Sequence, residues 1–198
     1  CEDIVSYREN NFNGLIEDCS QRCFFPNGFS FYCYGQKLFD HSVTYEQLEE
    51  DYFKHAYGDQ WQLALSYLKA VDEYMPQTYM EHRHTAMPIT DMEYHPELKD
   101  GFLSVRGVGE QFKEKLTPYR NMPYRAQTVA VRLMCDYADY CQWIARIFAL
   151  RCVGKLDEAK AEYKLFRDSF GQRELAIERY YDHFEATYAF LISLYRKD

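Results

Sequence analysis

Residues 44–75, TYEQLEEDYFKHAYGDQWQLALSYLKAVDEYM, decide the fold. Apolar side chains recur at Tyr45, Leu48, Tyr52, Phe53 and Ala56, then at Trp61, Ala64, Leu65, Leu68, Val71 and Met75. Both sets keep the three-and-four spacing that gathers side chains on one helical face. Gly58 stands between them. It can adopt the left-handed backbone that ends a helix, and Asp59 can cap the next one by accepting a backbone N–H. The stretch therefore predicts a tight antiparallel helix pair whose apolar stripes need further helices to cover them.

Outward from that pair, the same spacing recurs to the C-terminus. Asp40-His41-Ser42 is placed to cap the pair, and Phe29, Tyr32, Cys33 and Gln36 trace a helix that begins near Pro26 and runs to about Phe39. Residues 1–12 carry few strong signals. Asn13-Gly14 marks a turn, and Leu15-Ile16 begins a short strand that ends near Glu17-Asp18.

Pro76, Pro88 and Pro96 punctuate a long irregular loop over 76–100, of a kind that often carries function. A helix from Glu97 to Leu116 follows, weakened in its first half by Gly101, Gly107 and Gly109. Val129, Leu133, Tyr137, Tyr140, Ile144 and Phe148 predict the longest helix, at about 124–153, ended by Gly154. Leu156 to Phe170 forms another that Gly171 stops, and a last one spans about 172–196. The expected fold is all-α: an irregular antiparallel bundle of six to seven helices with one short strand near the N-terminus.

Composition narrows the function classes. The 198 residues bury a substantial core, 47% of them hydrophobic and 18% aromatic, which argues against disorder. A formal net charge of −8 without a dense basic run makes nucleic acid and anionic membrane poor partners. No apolar run approaches the roughly 20 residues of a membrane span. The first residue is Cys1 rather than Met, as expected of a processed chain or a piece of a longer one. Seven cysteines, an odd number in a chain of this size, read mainly as reduced, buried side chains, which suits a cytoplasmic address. The chain has no P-loop, dinucleotide glycine fingerprint or nucleophile elbow, and no cofactor is expected.

Three groupings have the residue types for chemistry. Glu17-Asp18, with Gln21 and Arg22, stands at a strand end, where barrel folds place polar catalytic groups. Adjacent strand residues point to opposite faces, so at most one carboxylate serves a given pocket. The plainer reading pairs one with Arg22 and leaves the other in solvent. Cys19 and Cys23 lack the second pair that a zinc site would need. His82 and His84, near Asp91 and His95, lie in a loop without a rigid element to orient them, and a solvated loop is the favoured reading. No metal site is expected.

The runs FNGLIEDCSQR, FFPNGFSFYCYGQKLFD, EEDYFKHAYGDQW and GKLDEAKAEYKLFRDSFGQRELAIERYYDHF, in that order, resemble an uncharacterised domain family. It belongs to large bacterial proteins similar to α-glucuronidase-like glycoside hydrolases, in which a (β/α)8 barrel precedes a helical region. The resemblance implies that residues 1–40 are the end of such a barrel, its last strand and helix, and that residues 41–198 are the C-terminal helical domain. Seven strands and the catalytic carboxylates would then lie upstream. Glu17, Asp18, Gln21 and Arg22 become substrate-rim candidates, with no catalytic residue carried over. The function expected is a helical accessory segment of a glycoside-hydrolase-like, carbohydrate-active protein, not catalytic by itself. Its partners would be the remainder of the barrel or carbohydrate. Two alternatives stand beside it: a free-standing helical module that presents a groove to a protein partner, and a small enzyme using Glu17, Asp18 or the histidine-rich loop.

Overall fold

The computed structural model describes residues 2–12, 24–76, 79–80, 94–177 and 179–182. Within them the fold is all-α, with seven α-helices. They are α1 (Glu2–Glu9), α2 (Phe24–Phe39), α3 (Tyr45–Tyr57), α4 (Trp61–Tyr74), α5 (Lys99–Leu116), α6 (Arg125–Arg151) and α7 (Leu156–Ile177). Among the described residues, β pairing is limited to an isolated bridge between Tyr94 and Val153. The strand expected after Asn13 lies outside the described residues, while α1 occupies a segment with little sequence signal.

The α3–α4 pair forms as its spacing predicts, with different caps. Thr44, rather than Asp40-His41-Ser42, caps α3. Its hydroxyl accepts from the Gln47 backbone N–H at 3.2 Å, and its own N–H donates to Gln47 Oε1 at 2.9 Å. This reciprocal box satisfies two backbone donors at once. Asp40 instead accepts from the Ser42 backbone N–H and hydroxyl within the preceding turn.

At the other end of α3, Gly58 takes φ +54° and ψ −137°, and its N–H returns to Lys54 O. Only glycine enters this backbone region without strain. Gly58–Gln60 then makes one 3-10 turn that feeds directly into α4. Asp59 makes no cap, because the Trp61 N–H is already satisfied by Gly58 O. Glu49 and Lys69, equally far from this turn in sequence, meet at 3.2 Å. That contact fixes the two helices as antiparallel.

α6 is the axis of the molecule and packs against α2, α3, α5 and α7. Met134, Ile144, Ile147 and Phe148 are fully buried, and so is the Arg151 side chain. The Arg151 guanidinium lies 5.6 Å and 5.5 Å from the ring centroids of Tyr79 and Phe148. α5 runs antiparallel to α6. Lys113 pairs with Asp139, Gly109 faces Gln142, and Phe102 stacks on Phe148 at 5.7 Å, so one residue number rises as the other falls. α7 is likewise antiparallel to α6, with Arg173 3.0 Å from Asp139 and Arg146 2.6 Å from Glu162. α4 closes the bundle between α3 and α5, where Tyr67 stacks on Phe112 at 4.1 Å. The expected division at residue 40 falls in the α2–α3 turn. Phe25 of α2 belongs to the same core as α6.

One helix end needs correction. α7 does not stop at Gly171 but continues to Ile177, and a turn at 179–180 follows. The helix expected over 172–196 therefore does not begin at Gln172, and its residues 183–196 lie outside the described set. Glycine in a helix interior costs about 1 kcal/mol relative to alanine. Packing of Phe166 and Phe170 at 4.9 Å, together with the Arg173 contacts to α6, outweighs that cost. Nothing lies within 4 Å of a Cβ built on Gly171. Gly171→Ala is therefore expected to stabilise the fold by about 0.5–1 kcal/mol. Chemical denaturation measures it, and a loss of stability would mean that Gly171 is a helix stop after all.

Candidate binding cleft

α4 is apolar over more of its surface than one neighbour can cover. Ala64, Tyr67 and Val71 are buried in the bundle. Leu65, Leu68, Lys69, Asp72 and Met75, a partial turn round the helix, line a cleft shared with α2, α3 and α6. The cleft holds about 530 Å³. Phe29 and Phe53 form one wall and Tyr137, Cys141 and Ile144 of α6 the floor. The Phe29 ring lies 5.5 Å from Tyr45, 5.4 Å from Tyr52 and 5.5 Å from Phe53, giving a rigid aromatic flank.

Polar groups gather at the rim. The Glu49 carboxylate accepts from Lys69 Nζ at 3.2 Å and from the Tyr45 hydroxyl at 3.3 Å. Asp72, exposed on α4, has no ion-pair partner among the described residues. A second groove of about 390 Å³, between α1 and α2, shares Phe29, Ser30 and Tyr45 with the first and adds Ile4, Tyr7 and Asp3. The two grooves therefore share one wall.

The ionisable groups on the floor are held neutral. Burial pushes the Cys141 thiol up to about 12, against the smaller opposing effect of the neighbouring Tyr137 and Tyr67 hydroxyls. Burial likewise raises the Tyr137 hydroxyl well above its ordinary value. A thiol kept protonated is a poor nucleophile and a poor metal ligand. Cys33, Cys135 and Cys152 are also buried, free and raised by burial. The arrangement suits binding through apolar contact, with charge at the entrance setting orientation.

A third groove, about 420 Å³, lies between α5, α6 and α7. Its charges are largely committed to one another, Arg146 to Glu162 at 2.6 Å and Lys155 to Glu158 at 2.9 Å.

Most of the residues singled out by sequence lie outside the described set. Glu17, Asp18, Gln21 and Arg22 lie outside the described residues, as do Cys19, Cys23, His82, His84 and Asp91. His95 is described: its Nδ1 sits 2.7 Å from Glu97 Oε1, and its ring meets Tyr79 edge-on. Among the described residues, no three His, Cys, Asp or Glu side chains gather as metal ligands, and no helix is long and apolar enough to cross a membrane. Tyr181 is a core residue against Tyr137 and Tyr140, whereas Tyr180 is exposed.

Sequence reasoning missed the rim. EEDYFKH reads as an ordinary charged helix face, yet Glu49 turns toward α4. The available signal was the width of the α4 stripe, in which Leu65 and Leu68 fall outside the arc of Ala64, Tyr67 and Val71. Compared with known proteins, the chain matches no family model, no curated protein and no solved structure.

Proposed function

We propose that this chain is a helical accessory module, not catalytic by itself, that holds a polypeptide element in the cleft bounded by α2, α3, α4 and α6. The distribution of polarity in that cleft carries the reading. Rings and aliphatic side chains line its depth, and the charged groups Glu49, Lys69 and Asp72 stand at its entrance. A sugar presents hydroxyls on every edge and needs polar partners deep in its site. A polypeptide segment can turn apolar side chains inward and keep its polar face in water. The resemblance of the EEDYFKHAYGDQW and GKLDEAKAEYKLFRDSFGQRELAIERYYDHF runs to glycoside-hydrolase-like bacterial proteins favours the remainder of a parent barrel as the source of that segment.

The test combines a panel of aryl glycosides, glucuronides included, with calorimetric titration of oligosaccharides. Neither turnover nor saturable heat is expected from the chain or from its Glu17→Gln, Asp18→Asn double variant. Turnover that vanishes in the double variant would make the chain an enzyme. Saturable oligosaccharide binding abolished by Leu68→Asp would make the cleft a sugar site.

A further inference from the structure

The charge around the cleft goes further and selects among polypeptides. Three carboxylates border the two adjoining grooves: Glu49 and Asp72 the α2–α3–α4–α6 cleft, and Asp3 the α1–α2 groove. Among the described residues that line the two grooves, the cationic side chain is Lys69, already engaged by Glu49 at 3.2 Å. Asp72 and Asp3 have no ion-pair partner among the described residues. Lys37, the basic residue of α2, is buried and donates to the carbonyls of His41 and Val43 at 2.8 Å and 2.6 Å, so it does not offset them. Glu46 and Glu73 on α3 and α4 add to a chain whose formal charge is −8, while Glu50 is paired with Lys54. An apolar trough with an acidic border complements a segment that is apolar on one side and basic on the other.

We propose that the α2–α3–α4–α6 cleft takes a basic amphipathic helix, its apolar side seated against Phe29, Leu65 and Leu68 and its Lys or Arg side chains over Asp72 and Glu49. This rests on the reading of the cleft as a polypeptide site. Among the described residues, α2, α3, α4 and α6 form most of its walls, and a cylindrical apolar ridge fills such a trough better than an extended strand, whose side chains alternate between two faces. Charge at the border raises the association rate and excludes acidic segments, while apolar contact supplies the affinity.

The probes are two labelled peptides of about five helical turns with identical leucine positions, one carrying lysine and the other glutamate on the polar side. Fluorescence anisotropy at physiological salt is expected to show the Leu/Lys peptide binding at least about tenfold more tightly. Leu68→Asp places a charge where leucine must seat. It is expected to weaken the Leu/Lys peptide about tenfold or more, although it makes the protein more acidic. Asp72→Lys, an exposed change that leaves the fold intact, is expected to narrow the preference between the peptides. Tighter Leu/Lys binding by Leu68→Asp would mean general charge attraction and would overturn the proposal. Equal binding of both peptides, lost in Leu68→Asp, would keep the cleft as a polypeptide site but remove its preference for a basic partner. Failure of both peptides to bind would overturn the polypeptide reading and this inference with it.

Discussion

Phe148→Ala is expected to cost about 3–5 kcal/mol, the largest loss from any single truncation considered. Phe148 is fully buried, stacked on Phe102 with an interplanar angle of 20°, and met edge-on by Tyr79 at 5.9 Å. Its ring also carries the Arg151 guanidinium. Alanine would remove the transfer free energy of the ring, open a cavity where α5 meets α6, and strip one aromatic face from a buried cation. Domains of this kind are stable by roughly 5–15 kcal/mol, so the variant gives up a large share of the total. Thermal melting followed by circular dichroism should show a midpoint lower by about 10 °C or more. A loss below about 1 kcal/mol would place Phe148 outside the core.

Gly58→Val is expected to cost about 2–3 kcal/mol. The backbone contribution comes from φ +54° with ψ −137°, a region that a β-branched residue enters only with strain. Space adds to it, because a Cβ at Gly58 would lie 3.0 Å from Met122 Cε and 3.4 Å from the Gln127 amide. Gln127 is not free to swing aside without weakening its donation to His55 O at 3.3 Å. Valine would therefore disturb the α3–α4 turn and the segment that leads into α6. Equilibrium denaturation of the variant measures the loss, and an unchanged midpoint would show that the turn does not need positive φ.

These two sites lay differently open to sequence reasoning. Gly58 was legible because two apolar periodicities change phase at it, a purely local signal. The length of α6 was legible for the same reason, since its stripe from Val129 to Phe148 keeps one period through 20 residues. What the stripe cannot show is that α6 is surrounded: Cys135, Ala138, Ala145 and Ala149 are as buried as its large residues, because four helices pack on it. Thr44 was overlooked although Thr44-x-x-Gln47 is a capping-box pattern, since Asp40 and Ser42, where the preceding apolar pattern breaks, also have capping side chains. Gly171 misled because glycine weakens helices locally, and the contacts that override it come from Asp136 and Asp139, more than 30 residues away in the chain. The cleft was hidden for a related reason. It exists only where four separate stripes fail to close on one another, and no one stripe records that.

The central claim is that the α2–α3–α4–α6 cleft is where this chain binds a polypeptide. Backbone amide shift mapping by nuclear magnetic resonance, with the Leu/Lys peptide titrated into the isotopically labelled chain, tests it most directly. The account predicts the largest shifts at Ser30, Glu49, Leu65, Leu68 and Asp72, with smaller ones at Cys141 and Ile144 on the floor. Shifts concentrated instead at Lys99, Val153 and Glu158 of the α5–α6–α7 groove, or spread evenly over acidic residues of α7, would contradict it.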